Sequence, residues 1–415
     1  MKDVVTLCER NWYMNVKVLF DVAELPFSLA AVRDGVKTLE ITACDSVLTV
    51  SVPYDYKETP LRLQSEIRLQ DRVELVLMPH RIELYVGGVL MDEEWPAGTG
   101  LFAIEDAFSP SGVASVSCVS VTESKEEPSV LGEIENAEGW YPGNGVFVGD
   151  CMPYRRDDEF HVLYLKDRHH HMSKWGLGAH QWEHISTKDF RTWSIHPMAV
   201  PITEPWEGSI CTGSWVRREG KEYLYYTIRQ VDGSKACIRR SVSLDGYHFE
   251  KDPSFGFTLS DKYVGRSARD PKVIKDDQGV YHMFLTTALA REGKGCLAHC
   301  ISCDMETWTE CDQPLYVAPN EDYPECPDYF FYRGKYYLMF SFRGTAQYLL
   351  SDKPFEGFVS PEEPVIPCSM VPKCAPWQDK LVFVGYRLMG GYAGCMTFLS
   401  ATADKDGRLI FETKE

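Results

Sequence analysis

An aromatic strand recurs five times in the later part of this 415-residue chain, and that recurrence restricts the possible fold more than any other feature. The copies are Glu159-Phe-His-Val-Leu-Tyr-Leu165, Glu222-Tyr-Leu-Tyr-Tyr-Thr227, Val280-Tyr-His-Met-Phe-Leu285, Lys335-Tyr-Tyr-Leu-Met-Phe340 and Lys380-Leu-Val-Phe-Val-Gly-Tyr386. Their starts lie 63, 58, 55 and 45 residues apart. A charged or glycine-rich turn precedes each, such as Arg156-Asp-Asp158 or Arg333-Gly334, and another short apolar strand lies just upstream. Several copies lead into a Ser-x-Asp-like turn closed by an aromatic, beginning at Ser186, Ser243 and Ser302. A period of this length holding about four strands is one blade of a β-propeller, so five repeats predict five blades.

Residues 1 to 125 read differently. Runs such as Lys37-Thr-Leu-Glu-Ile-Thr-Ala43 and Ser46-Val-Leu-Thr-Val-Ser-Val52 alternate apolar with polar, and Gly87-Gly88 marks a hairpin turn. Period-2 patterning at this spacing predicts a β-sandwich. A polar linker, Glu123-Ser-Lys-Glu-Glu-Pro128, follows. The expected chain is therefore all-β, with an N-terminal sandwich over 1–125 and a C-terminal five-bladed propeller over 126–415.

Composition narrows the function. A net charge of −18 without a basic block argues against nucleic acid or an anionic membrane as partner. The 13% aromatic content suits strands, and aromatic faces also stack on sugar rings. The early residues include Asp3 and Glu9 and no apolar run of signal-peptide length, and no stretch is long enough to span a bilayer. Fourteen scattered cysteines read as reduced thiols, so a cytoplasmic protein is expected. Cys300-Ile-Ser-Cys303 lacks a fourth ligand at matching spacing, and no phosphate loop, dinucleotide fingerprint or serine elbow is present. No metal or cofactor is expected, and the oligomeric state is left open.

The repeat also aligns acids. Asp150 lies ten residues before Phe160, Asp270 eleven before Tyr281, and Glu325 eleven before Tyr336, which suggests one shared position in blades one, three and four. The counterparts, near Thr212 in blade two and Met370 in blade five, are uncharged. Innermost strands of a propeller start near its axis, so these carboxylates converge. Converging carboxylates repel one another and are poorly explained by packing alone. Glycosidic cleavage needs such groups: a nucleophile or base, and an acid that protonates the leaving oxygen. Metal binding and ordinary loop acids remain the alternatives.

At these residues the sequence resembles glycoside hydrolase family 32, retaining β-fructofuranosidases built on a five-bladed propeller with an attached sandwich. Gly149-Asp150-Cys-Met-Pro153 stands at the family's nucleophile motif, Arg269-Asp270-Pro271 at its Arg-Asp-Pro motif and Glu325-Cys326-Pro327-Asp328 at its Glu-Cys motif. Trp175-Gly-Leu-Gly-Ala-His-Gln-Trp-Glu-His-Ile-Ser186 and Gly208-Ser-Ile-Cys-Thr-Gly-Ser214 resemble two further segments. The resemblance implies Asp150 as nucleophile, Glu325 as general acid/base, Asp270 as transition-state stabiliser and Arg269 as a ligand of ring hydroxyls. The family's nucleophile motif reads Asn-Asp-Pro-Asn-Gly, and its sandwich follows the propeller, whereas here the asparagines are missing and the sandwich comes first.

Further substrate contacts are expected from Trp175 and Trp206 as stacking walls, from His180, Gln181 and Thr212, and from His169 in the run Asp167-Arg-His-His-His171. The expected activity is retaining cleavage of a β-fructofuranoside or related small glycoside or oligosaccharide. An inverting pentosidase of the family 43 type, a glycosyl transferase and a non-catalytic sugar-binding protein stay open as alternatives.

Overall fold

The structure, a computed structural model, describes residues 14–53, 60–77, 82–94, 107–122, 128–143, 145–168, 170, 178–204 and 206–412. Two compact units divide the chain: Met1–Glu127 with Ile202–Glu207, and Pro128–Pro201 with Gly208–Glu415. Ile202–Glu207, expected in the propeller, groups with the first unit instead.

The first unit is a sandwich of two five-stranded antiparallel sheets. One runs Val113–Thr122, Met14–Val22, Arg72–Leu77, Ile82–Val86, Val89–Glu94. The other runs Leu61–Glu66, Val47–Val52, Val36–Cys44, Phe27–Arg33, Ala107–Ser111. Strand Leu61–Glu66 buries every second residue, as period-2 patterning requires. The inward residues Val18, Phe20, Leu29, Ile41, Leu48, Leu63, Leu75 and Leu84 form one core. Gly87 and Gly88 join two strands with φ of 60° and 81°, a pair of left-handed residues that matches the twist of a two-residue hairpin.

The second unit has five blades. Blade I holds Val146–Arg156, Glu159–Arg168, Gln181–Thr187 and Thr192–Val200, with Gly132–Glu135 on its outer edge. Blade II holds Glu207–Arg218, Lys221–Gln230, Cys237–Ser243 and Glu250–Lys251. Blade III comprises Arg269–Lys275, Tyr281–Ala288, Gly295–Ser302 and Thr309–Glu310, with the short Tyr316–Val317 also paired to Gly295–Ser302. Blade IV holds Glu325–Tyr332, Lys335–Phe342 and Thr345–Ser351, and blade V holds Met370–Trp377, Lys380–Leu388, Gly394–Ala403 and Leu409–Phe411. A bridge between Val148 and Gly394 joins blade V to blade I.

The recurring aromatic segment is the second strand of every blade. Glu159–Arg168 and Tyr281–Ala288 are buried along their whole length. Both faces of such a strand pack against other blades, so the sequence shows a continuous apolar run and not alternation. The turns after the third strands recur as well. Ser243 Oγ accepts from Gly246 N at 2.9 Å, and Ser302 Oγ accepts from Met305 N at 2.8 Å. In blade I the equivalent is Thr187, which accepts from Phe190 N at 2.9 Å, so the turn is built one residue later than Ser186 suggested. Among the described residues no helix is long and apolar enough to cross a membrane.

Candidate active site

The first strands of four blades carry the same irregularity. Between Val148 and Cys151, Arg269 and Lys272, Glu325 and Asp328, and Met370 and Lys373, three residues advance while the second strand advances two. Such a bulge re-aims side chains where a sheet edge meets a site. Aligned on the bulge, the three acids occupy three successive places: Glu325 opens it, Asp270 is second and Asp150 third. Sequence spacing had put them in one shared position. The bulge corrects this, because turns of different length follow the first strands and a count of residues cannot see that.

In blades III, IV and V the second bulge residue is left-handed and precedes proline: Asp270 at φ 57°, Cys326 at 50° and Val371 at 37°. This conformation costs a non-glycine residue roughly 1–3 kcal/mol and tends to persist where surrounding contacts demand it. At Cys326 those contacts are visible. Its backbone N–H donates to Asp270 Oδ2 at 3.1 Å, and its thiol donates to Asp150 Oδ2 at 3.4 Å. One residue therefore ties two carboxylates from two other blades.

Arg269 supplies the second tie. Its Nη2 donates to Glu325 Oε1 at 2.7 Å, its Nε lies 3.6 Å from Asp270 Oδ2, and its guanidinium sits 4.9 Å from the Tyr323 ring centroid. Burial opposes the arginine's charge, but Asp270 and Glu325 outweigh it and raise the pKa further. Thr212 O–H donates to Asp270 Oδ1. Exposure of the side chains differs: Asp270 is 5% exposed and Glu325 37%. Asp270 is thus held in place by donors, and Glu325 is open to an incoming molecule. Asp150 accepts from Tyr392 O–H at 2.9 Å on its other oxygen. Burial and the neighbouring Asp270 nevertheless push its carboxyl up to about 6, against hydrogen bonds from Tyr392 and Cys326 that lower it.

The model of the glycosyl hydrolases family 32 N-terminal domain matches residues 151–359, half of the chain. The chain belongs to glycosyl hydrolase family 32. The family 32 match takes in Arg269, Asp270 and Glu325 and begins one residue after Asp150. Sucrose-6-phosphate hydrolase of Escherichia coli is 26% identical over 291 residues, 61% of this chain and 59% of that protein. A fructan 1-exohydrolase from Cichorium intybus superposes with a TM-score of 0.54 at 18% identity, covering 65% of this chain and 60% of its own. A family 43 β-xylosidase/α-arabinofuranosidase from a compost microbial metagenome gives a TM-score of 0.51 at 17% identity, covering 67% of this chain and 98% of its own. The chain spans roughly 40 to 60% of the length of the curated relatives it matches.

The other residues expected at the family 32 site fall in varied places. His180 is buried, with Nε2 2.9 Å from Asp167 Oδ1 and its ring 5.2 Å from Tyr392, and it acts electrostatically on Asp150. Gln181 is fully buried in blade I opposite Lys166 and is closed to solvent, which its expected contact with sugar hydroxyls did not anticipate. Thr212 is likewise buried and spends its hydroxyl on Asp270. Trp206 lies in Ile202–Glu207, which groups with the sandwich unit. His169 and Trp175 lie outside the described residues. Sequence reasoning missed Tyr392 and the ligating function of Cys326. It also missed a girdle one residue past the bulge: Lys272 Nζ pairs with Asp328 at 2.5 Å, Cys374 N donates to Asp328 at 3.0 Å, and Lys373 Nζ donates to Gly213 O at 3.0 Å. The four-residue repeat Arg-Asp-Pro-Lys, Glu-Cys-Pro-Asp, Met-Val-Pro-Lys was the available signal.

His161, His184 and His196 bring ring nitrogens within 4.8 Å of one another in blade I. His161 Nδ1 and His184 Nε2 are 2.9 Å apart with ring centroids 5.2 Å apart, so the two rings meet end-on in a hydrogen bond. His196 bonds Ser186 at 2.7 Å and the Ser129 carbonyl. End-on imidazoles at that separation share a proton and leave no room for an ion between them, since zinc alone needs about 2.0 Å to each nitrogen.

Proposed function

We propose that this family 32 chain hydrolyses β-fructofuranosides of small size with retention of configuration. The observation that carries the reading is the linkage of Asp150, Asp270 and Glu325 through Cys326 and Arg269. Asp150 attacks the anomeric carbon while Glu325 gives its proton to the departing oxygen, leaving a fructosyl ester on Asp150. Asp270 supports the positive charge that develops on the ring. Glu325, now ionised, takes a proton from water, whose oxygen displaces Asp150, and two inversions give net retention. The wide exposure of Glu325 suits an acid that must meet both leaving group and water. A carboxyl titrating near 6 at Asp150 is ionised, and so nucleophilic, above that pH. Free thiols at all described cysteines support a cytoplasmic location.

Incubation with sucrose, short fructans and pentofuranosides, followed by NMR of the first-formed anomer, tests the reading. Fructose released initially as the β-furanose is expected. Pentose release alone, or no release from any sugar, would overturn the fructoside assignment, and a first-formed α-anomer would overturn retention. Glu325→Gln with undiminished turnover would remove the acid/base role.

A further inference from the structure

Asp150 is held at its two oxygens by donors of unequal strength. Tyr392 O–H donates to Oδ1 at 2.9 Å, and the Cys326 thiol donates to Oδ2 at 3.4 Å. A thiol is the weaker donor, so Oδ2 is the oxygen more easily released to a substrate. The phenol stands where a side chain on residue 149 would begin. A Cβ on Gly149 would lie 3.0 Å from Tyr392 Oη and 3.1 Å from the Leu165 carbonyl oxygen. Glycine before Asp150, where the family's motif carries asparagine, therefore leaves room for a donor that arrives from blade V.

Tyr392 lies just before the third strand of blade V and is fixed from three sides. Its hydroxyl is hydrogen-bonded with Tyr386, with the two rings 5.5 Å apart. His170 Nδ1 donates to its carbonyl at 2.9 Å, and a Cβ on Gly391 would lie 2.6 Å from His170 Cβ, so glycine lets the chain pass this closely. The third side is His180, whose ring lies 5.2 Å from the Tyr392 ring at 30°.

His180 is itself clamped. Its Nε2 donates to Asp167 Oδ1 at 2.9 Å, and both residues are buried. Its N–H donates to Ser209 Oγ at 3.1 Å and its carbonyl accepts from Ile210 N at 3.0 Å, both in blade II. A Cβ on Gly178 would lie 2.4 Å from His180 Cε1, so the backbone at Gly178 closes over the imidazole. A buried acid and imidazole are a poor way to gain stability, because desolvating them offsets their attraction. The pair leads instead from Asp167 through His180 to Tyr392, and from Tyr392 to Asp150.

We propose that His180, fixed by Asp167, is a positioning residue for the reaction: it braces Tyr392 so that the phenol holds Asp150 Oδ1 and Oδ2 is left to attack the anomeric carbon. The proposal rests on the reading of Asp150 as nucleophile. In the first step the bond from Oδ2 to the anomeric carbon forms as the bond to the departing oxygen breaks, and that oxygen takes the Glu325 proton. Oδ1 becomes the ester carbonyl oxygen and keeps the Tyr392 hydrogen bond. His180 then never touches the sugar, in contrast to the hydroxyl contact expected from the sequence.

Steady-state kinetics on the full chain, with whichever glycoside it turns over, separates these roles. His180→Gln lowers kcat by roughly 10- to 100-fold with KM within about twofold, and so does Tyr392→Phe. In the Tyr392→Phe background, His180→Gln changes kcat by less than about threefold, because the two act in series. A raised KM with kcat kept would make His180 a substrate contact and overturn the proposal. A full loss on top of Tyr392→Phe would show that His180 does not act through Tyr392, with the same consequence. If His180→Gln does not fold, Asp167→Asn, which keeps the shape of its side chain, carries the same cycle with the same outcomes. A readout that needs no substrate is the Asp150 carboxyl band in infrared difference spectra, wild type minus Asp150→Asn. Asp150 faces Asp270, Tyr392, His180 and Cys326, and its titration midpoint moves upward in Tyr392→Phe and in His180→Gln, and no further in the double variant. A midpoint unmoved by His180→Gln overturns the proposal. The expected shifts in a protein that cleaves no fructoside would support the bracing of Asp150 and remove the fructoside reading alone.

Discussion

Blades IV and V enter the mouth of the propeller through the same backbone, Glu325-Cys326-Pro327-Asp328 in one and Met370-Val371-Pro372-Lys373 in the other, each bulged and each left-handed at its second residue. A β-branched side chain at φ 37° is an uncomfortable occupant, and the Val371 N–H donates to the Gly344 carbonyl at 3.0 Å, where the Cys326 N–H of blade IV donates to a carboxylate. The bulge therefore belongs to the architecture. Blade IV adds side chains to it: Glu325 at the first place, and at the second a cysteine whose thiol and amide hold Asp150 and Asp270. Blade V uses the place after the bulge structurally, sending buried Lys373 to Gly213 O. A repeated scaffold can thus position acids at several depths around one axis by changing one residue per blade.

The comparison predicts unequal losses. Glu325→Gln or Asp150→Asn lowers kcat by about 10³-fold or more, whereas Met370→Leu, at the place in blade V that Glu325 holds in blade IV, stays within about threefold. Steady-state kinetics on the three variants checks this. If Met370→Leu were as damaging as Glu325→Gln, the blades would not differ as described.

Next in size is the stability cost of the acid. The folded-state carboxyl of Asp150 is pushed up to about 6, above the ordinary aspartate value of 3.8, so the native state holds that proton longer than the unfolded chain. Its contribution is full below pH 3.8 and lost as pH rises through about 6, amounting to at most about 3 kcal/mol. Asp150→Asn should therefore melt higher than wild type at pH 8 and about the same at pH 4, compared by calorimetry. A gap that widens toward acid would contradict the sign.

The smallest effect concerns the donors. Removing the thiol in Cys326→Ala or the hydroxyl in Tyr392→Phe takes away a bond that lowers the Asp150 carboxyl, so the acidic limb of kcat/KM against pH moves upward by up to about one unit. Cys326→Ser keeps a donor and holds the limb, and so does Val371→Ala in blade V. A limb displaced by the valine change alone would sink the assignment.

Much of this was legible in the chain. The second strands are sandwiched on both faces, so their aromatic content repeats, and five blades can be counted from it. Asp270 and Glu325 lie in short motifs that survive in the sequence, as does Asp150 in an altered one. The bulge register was not legible, because pairing across strands decides it and linear spacing does not. Tyr392 meets Asp150 from 242 residues away, on the loop before the third strand of blade V, with only flanking glycines to mark it.

The central claim, that Asp150 is the nucleophile of a retaining centre, is most directly tested by acid-quenching the enzyme during turnover of its fructoside and mapping its peptides by mass spectrometry. A hexosyl ester on the peptide containing Asp150, absent from Asp150→Asn, is predicted. An adduct on another residue, or turnover with no adduct and an inverted first product, would contradict it.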